Sequence, residues 1–130
     1  MKFEDLYKLA VELGKNADPR GKKEVGKELS QLKADFDELK DKEKNEFDQE
    51  KLFNPYSDTR ILCGDTDSEI KTILTGIDID VGEMLLADKL SQKGPKIDLV
   101  ISHHPSGRAY ANFYEVMHMQ TDILANYGVP

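Results

Sequence analysis

The order of the secondary-structure elements predicted for the second half of the chain constrains its fold most strongly. Residues 72–79 are rich in β-branched side chains and predict one strand, and residues 97–102 predict a second. Asp80 and Glu83 form a capping-box pattern that predicts a helix between the strands, and Gly94–Pro95 predicts its end. The apolar face predicted for this helix consists of Val81, Met84, Leu85 and Leu90. Successive strands joined through a helix are parallel, so the sequence predicts an α/β fold containing a right-handed βαβ unit.

Two more elements are predicted on either side of this unit. Residues 60–63 could form a short strand upstream, and a last helix follows the turn-like residues 105–107. Gly128 stands where a glycine commonly ends a helix. The apolar residues of this last helix recur at helical spacing, and they are Phe113, Val116, Met117, Ile123 and Leu124.

The first half of the chain predicts two amphipathic helices. The first would end at Gly14, and the stretch Asp18–Gly21 predicts a turn. In the second helix, apolar residues recur at steps of four and three, which is typical of a narrow heptad-like stripe. The stripe consists of Val25, Leu29, Leu32, Phe36 and Leu39. It could pack on its own domain or on another subunit; we favour the first, because fewer than about three heptads rarely specify a coiled coil alone.

Charge is distributed unevenly along the chain and marks a boundary. Residues 1–51 carry 12 basic and 14 acidic side chains, whereas residues 52–130 carry 6 basic and 11 acidic ones. Pro55 breaks any helix that runs into it. We therefore expect a helical extension over residues 1–52 and an α/β metal-binding unit over residues 53–130.

Composition excludes several classes of protein. A formal net charge of −7 argues against a protein that grips the nucleic-acid backbone, because such a protein needs a basic face. No apolar run reaches membrane-spanning length, and the acidic start of the chain is unlike a signal peptide. The single cysteine, Cys63, excludes an internal disulfide and is expected to be a small buried side chain. We expect a cytoplasmic protein with neither a nucleic-acid nor a membrane partner.

Chemically useful side chains stand where the two predicted strands end. Asp78 and Asp80 follow the first strand, and His103 and His104 follow the second. The carboxyl ends of neighbouring parallel strands meet at one edge, so these groups should converge there. Adjacent residues of a flat strand point to opposite faces, but this constraint is lost where the strand gives way to the turn at Pro105. Imidazole and carboxylate ligands suit zinc, iron, manganese, cobalt or nickel, and such a metal can activate water near neutral pH.

Each of these residues also has a structural interpretation. The histidine pair could be held by hydrogen bonds alone. Asp80 is expected to serve as a helix cap, whereas Asp78 could be a ligand or could orient one. His118 and Glu115 are spaced like a metal pair on a helix, but we expect an exposed pair. A Ser102–His103 catalytic pair is not expected, since neighbours in a strand diverge.

Two stretches resemble the NGG-interacting-factor family, whose members are also known as type 2 GTP cyclohydrolase I or as dinuclear metal-binding proteins. Residues 73–78 (Ile-Leu-Thr-Gly-Ile-Asp) resemble a family strand that ends in aspartate. Residues 97–105, which follow a helix, resemble the strand that closes on His-His-Pro. The resemblance covers roughly residues 60–130, and the N-terminal helices resemble an extension present in some members.

The resemblance implies an α/β protein that forms ring-like hexamers and holds two divalent metal ions. It implies that His103 and His104 are metal ligands, one to each ion, and that Asp78 lies near them. In the family, the other ligands are an aspartate and a later histidine and glutamate downstream of the His-His motif, and this sequence ends at Pro130. We therefore expect these residues to supply part of the metal shell and to form the N-terminal portion of a larger α/β domain.

Three functions remain open at this point. The first is a metal-dependent hydrolase that acts through a metal-bound water. The second is a non-enzymatic regulatory or protein-interaction module. The third is a structural fragment whose histidines are satisfied by hydrogen bonds. In each case the open edge of a short parallel sheet favours a homo-oligomer that covers it.

Overall fold

The computed structural model describes residues 1–111 and 113–129 and shows a mixed α/β chain with N-terminal helices. The N-terminal part contains helices α1 (Phe3–Ala17), α2 (Lys22–Glu38) and α3 (Asp41–Glu46) and a 3₁₀ turn at Gln49–Leu52. The second part contains β1 (Ile73–Gly76), α4 (Val81–Lys93), β2 (Leu99–Ser102), α5 (Gly107–Ala111) and α6 (Phe113–Asn126). None of the described helices is long and apolar enough to cross a membrane.

The predicted parallel βαβ unit is confirmed. Strands β1 and β2 pair in parallel, from Ile73 opposite Leu99 to Gly76 opposite Ser102. The predicted capping box is present at the start of α4, where the Glu83 carboxylate accepts a hydrogen bond from the backbone N–H of Asp80 at 2.9 Å. Because the register pairs the last residues of the two strands, the segments that leave them begin side by side.

Two glycines behave differently from each other at helix ends. The predicted stop at Gly14 is wrong, because α1 continues to Ala17. A Cβ at Gly14 would stand 3.0 Å from a ring carbon of Tyr56, so this glycine permits close packing. The helix ends before Pro19, which restricts Asp18 to extended backbone. Gly128 ends α6 as predicted: it has φ of +78°, a conformation that glycine adopts without steric cost.

Residues 60–63 do not form the predicted strand. The Arg60 side chain is 1% exposed, and its guanidinium group lies 3.2 Å from a carboxylate oxygen of Asp48 and 3.4 Å from one of Glu50. Arg108 donates to the carbonyl oxygen of Ile61 at 2.8 Å. Side-chain contacts of this kind hold the segment in place of a strand ladder. The first βαβ strand is also shorter than the predicted residues 72–79.

The start of α1 is held against the segment that leads into β1. The backbone N–H groups of Phe3 and Glu4 each donate to a carbonyl oxygen at 3.0 Å, in Ser68 and Thr66 respectively. Ile70 donates in turn to the carbonyl oxygen of Met1 at 2.8 Å. These bonds satisfy donors of the first helical turn, which have no partner within a helix.

The buried apolar core is small, and half of its described residues lie in the N-terminal helices. Its residues among those described are Tyr7, Val11, Val25, Ile70, Ala87 and Ala109. The predicted stripe of α2 faces this part of the chain: Val25 is buried, the other stripe residues are half-buried, and Phe36 packs on Phe47 with ring centroids 5.0 Å apart. The stripe therefore packs within its own chain.

Helix α4 does not bury the apolar face that its sequence predicts. Val81, Met84, Leu85 and Leu90 are exposed, with Val81 72% exposed, and Ala87 is the one buried residue of this helix. These side chains stay exposed because a sheet of two short strands is too narrow to cover the helix. A helix with apolar side chains around much of its circumference is normally covered by other protein.

Candidate functional site

The predicted convergence of side chains at the carboxyl edge of the sheet is present for Asp78 and His104. Nδ1 of His104 lies 2.8 Å from Oδ1 of Asp78. Both side chains are largely exposed, so the pair is open to solvent. An ionised carboxylate can only accept a hydrogen bond, so we assign the proton of this contact to Nδ1 of His104 as the donor. Nε2 of His104 is then the ring nitrogen with a free lone pair.

The two histidines lie beyond the end of the strand and on the same side of the chain. Strand β2 ends at Ser102, and the rings of His103 and His104 stack with centroids 5.2 Å apart and planes 29° apart. The alternation that would separate neighbouring side chains does not apply past the strand end. The loss of strand alternation that was predicted near Pro105 therefore allows the two imidazoles to stack.

Backbone hydrogen bonds fix the turn that carries the histidines. The N–H of His103 donates to the carbonyl oxygen of Gly76 at 2.9 Å, and the N–H of His104 donates to that of Ile77 at 2.8 Å. These two bonds join the residues that follow β2 to the last residue of β1 and the residue after it. They place residues 103–104 directly beside the residues that lead to Asp78.

Other predicted residues have separate roles. Asp80 caps α4, as expected. Cys63 is exposed, so the expectation of a buried thiol is wrong; it lies in the loop held by side chains in place of the predicted strand. Glu115 does not form the expected exposed pair with His118, since it is half-buried and binds Lys51 and Ser57 instead.

Glu115 belongs to a second polar cluster, which lies in a cleft between α2 and α6. Lys51 Nζ donates to Glu115 at 2.7 Å, and the Ser57 hydroxyl donates to its other oxygen. Burial opposes ionisation of Glu115, but the hydrogen bonds from Lys51 and Ser57 outweigh it and hold the pKa of this carboxyl below its usual value. The cleft has a volume of about 740 Å³, and His118 lines it. Because Lys51 and Ser57 each bind one oxygen of the Glu115 carboxylate, the cluster connects α6 to the N-terminal part.

Ser102, directly before the two histidines, makes hydrogen bonds that the sequence did not predict. The hydroxyl oxygen of Ser102 lies 2.7 Å from the carbonyl oxygen of His104 and 3.2 Å from that of Ile77. The sequence shows a serine before the histidines, but its partners depend on the turn and on the neighbouring strand. The hydroxyl of Ser102 is aimed at main-chain carbonyls.

The arrangement offers two imidazoles and one carboxylate at an exposed sheet edge. Within residues 1–111 and 113–129, no group of three or more histidine, cysteine, aspartate or glutamate side chains is placed to hold a metal ion. Comparison with protein-family models, curated proteins and solved structures found no match to this chain.

Proposed function

We propose that this chain binds a divalent metal ion through the imidazoles of His103 and His104. The observation that carries the proposal is the 2.8 Å contact between Nδ1 of His104 and the Asp78 carboxylate. Metal-ligating histidines commonly donate their other ring N–H to a carboxylate, which fixes the tautomer and makes the ligating nitrogen more basic. Asp78 supports His104 in this way and leaves Nε2 available.

The donor set fits a borderline divalent cation such as zinc, iron or manganese. Two neutral imidazoles with a carboxylate behind one of them match the ligand types these ions prefer. The residues from 52 to 130 carry 6 basic and 11 acidic side chains, and this negative charge favours cations near the sheet edge. The resemblance to the NGG-interacting-factor family supports the same assignment and adds the proposal of two metal ions per complete site.

The activity that this site supports best is hydrolysis. A bound divalent metal supplies Lewis acidity and lowers the pKa of water. The residues of this chain would orient the site: Asp78 holds the proton on Nδ1 of His104, and the backbone bonds to Gly76 and Ile77 fix the turn. We propose a metal-dependent hydrolase of the kind that the family resemblance implies, in the cytoplasm, where an exposed free thiol such as Cys63 stays reduced.

Titration with zinc and with manganese tests the metal site. We expect binding by the wild-type chain, and a loss of at least about tenfold in affinity for His103→Ala and His104→Ala, since each removes a ligand. His118→Ala is the matched control, because His118 is the third histidine of the chain and lies in the α2–α6 cleft. Equal affinity in all four proteins would exclude the histidine pair as the site.

A specific observation favours a second function, a non-enzymatic protein-interaction module. Val81, Met84, Leu85 and Leu90 expose apolar surface on α4, and Ile77, which precedes this helix in the sequence, is 63% exposed. Apolar surface of this kind marks a protein interface. We propose that a second copy of the chain covers it, because identical apolar faces can bury each other across a two-fold axis, and this gives a homo-oligomer.

Light scattering after gel filtration tests the second function. Leu85→Glu should shift the protein to a monomer, because a charge would be buried in the interface. Leu13→Glu is the matched control, since Leu13 is 60% exposed and Leu85 is 58% exposed. A wild-type monomer at all concentrations, or an oligomer unchanged by Leu85→Glu, would contradict self-association through α4.

A further inference from the structure

We infer that Ser102 is a positioning residue that closes the His103–His104 turn and so keeps His104 in contact with Asp78. This inference rests on the proposed metal site, and it concerns how the geometry of that site is maintained. Ser102 acts through its neighbours and has no contact with a ring nitrogen among its hydrogen bonds.

The placement of the Ser102 hydroxyl is set by the strand register. Ser102 is the last residue of β2 and lies opposite Gly76, the last residue of β1. Its oxygen lies between two carbonyl oxygens, 2.7 Å from that of His104 and 3.2 Å from that of Ile77. A hydroxyl has one proton, so it donates to the closer carbonyl of His104 and has the Ile77 carbonyl as an alternative acceptor.

The two carbonyls belong to the two segments that carry the site. Ile77 directly precedes Asp78, and its carbonyl oxygen already accepts the backbone N–H of His104 at 2.8 Å. The hydroxyl of Ser102 adds a side-chain hydrogen bond to the carbonyl oxygen of His104, inside the turn that carries both imidazoles. Without the hydroxyl, the backbone hydrogen bond from His104 to Ile77 remains, but the hydrogen bond from Ser102 to the His104 carbonyl is lost. The contact between Asp78 and His104 is exposed, so it has little other packing to hold it.

Removal of the hydroxyl should therefore weaken metal binding without removing a ligand. In a zinc titration we expect Ser102→Ala to bind about threefold to tenfold more weakly than wild type, the effect of one lost hydrogen bond. Ser102→Thr keeps the hydroxyl and should restore wild-type affinity. Ser30→Ala is the matched control, because the Ser30 hydroxyl also donates to a backbone carbonyl, that of Gly26, on α2.

A second measurement tests the inference without metal. In long-range ¹H–¹⁵N spectra of the imidazoles, wild type and Ser102→Thr should show the His104 tautomer with the proton on Nδ1, and Ser102→Ala should show a mixture of tautomers. Wild-type affinity and a wild-type tautomer in Ser102→Ala would overturn the inference, and so would a Ser102→Thr protein that behaves like Ser102→Ala. If wild type binds no zinc, the proposed function fails, and the tautomer spectra still decide the role of Ser102.

Discussion

At the scale of single residues, the contact with the Asp78 carboxylate determines which ring nitrogen of His104 is free to bind a metal ion in the proposed site. The carboxylate accepts a hydrogen bond from Nδ1, with Nδ1 and Oδ1 2.8 Å apart, and in this tautomer the lone pair on Nε2 is free. The stacked ring of His103 places a second imidazole beside it. Two ligand nitrogens on one exposed turn are the chemical centre of the proposed site.

Replacement of Asp78 should weaken metal binding, because in the proposed site Asp78 orients His104. We expect Asp78→Asn to lower zinc affinity by roughly 10- to 100-fold, because the amide cannot hold the Nδ1 proton as a carboxylate does. Calorimetric titration with zinc measures this. Asp88→Asn, an exposed change on α4, should have no effect. Wild-type affinity in Asp78→Asn would show that the Asp78–His104 contact does not support the site.

A buried ion pair in the N-terminal part makes folding stability sensitive to acid. The Asp18 and Arg20 side chains are almost fully buried and lie 2.9 Å apart, and Tyr56 also donates to Asp18 at 2.9 Å. Burial opposes ionisation of Asp18, but the hydrogen bonds from Arg20 and Tyr56 outweigh it, and the pKa of Asp18 lies below its usual value. A lowered pKa in the folded state gives stability that is full above the ordinary pKa and is lost as the pH falls through the folded pKa.

We therefore expect Asp18→Asn to lower the free energy of unfolding at neutral pH by roughly 1.5–3 kcal/mol, because Arg20 loses its charged hydrogen-bond partner Asp18 and keeps Glu28 at 2.8 Å. Below about pH 4 the difference between wild type and Asp18→Asn should shrink, since Asp18 becomes protonated. Urea unfolding across this pH range measures both effects. A difference that stays constant down to pH 2 would contradict the lowered pKa.

The sequence predicts which edge of the sheet carries the residues of the candidate site, but it does not predict which of their side chains are in contact. Parallel strands bring their carboxyl ends together, and this rule placed Asp78 near His103 and His104. Which histidine meets the carboxylate depends on the turn after Ser102, and a turn is not determined by alternation. Local pattern likewise did not reveal that Glu115 binds Lys51, because 64 residues separate them.

At the scale of elements, the buried side chain of Asn54 joins α1 to the segment that precedes the βαβ unit. Its amide donates to the Tyr7 hydroxyl at 2.8 Å and to the carbonyl oxygen of Thr59 at 2.7 Å. Its own carbonyl oxygen accepts the backbone N–H of Tyr56 at 2.9 Å. One side chain therefore satisfies polar groups from both parts of the chain.

Asn54→Ala should destabilise the fold by about 1–3 kcal/mol or more, because the Tyr7 hydroxyl and neighbouring backbone groups lose buried partners. Thermal unfolding followed by circular dichroism measures the loss. Asn45→Ala is a control on the exposed surface of α3 and should be nearly neutral. Equal destabilisation by the two changes would show that the Asn54 network does not hold these elements together.

Helix positions were predicted well where capping chemistry acts locally, as at Asp80. The end of α1 was not, because Gly14 is needed for the close approach of Tyr56, a contact between distant residues. The apolar pattern of α4 correctly indicated a helix but not its burial, since burial depends on how much sheet is present to cover it.

At the scale of the whole molecule, a helical N-terminal part is joined to a short βαβ unit that carries the site. The joint is polar: Arg108 contacts Glu50 at 3.1 Å, and Lys51 contacts Glu115 at 2.7 Å. Both contacts fasten the helices that follow the histidine turn. The polar joint and the exposed apolar surface of α4 lie in different elements, so metal binding and self-association can be tested separately.

X-ray absorption at the zinc edge of the zinc-loaded chain tests the central claim most directly, because it reports the ligands of the bound ion. The proposed site predicts imidazole scattering in the wild type, and fewer imidazole ligands per zinc in His104→Ala. The same spectrum should be unchanged in His118→Ala. Zinc bound without imidazole scattering, or with scattering that only His118→Ala reduces, would contradict a metal site at His103 and His104.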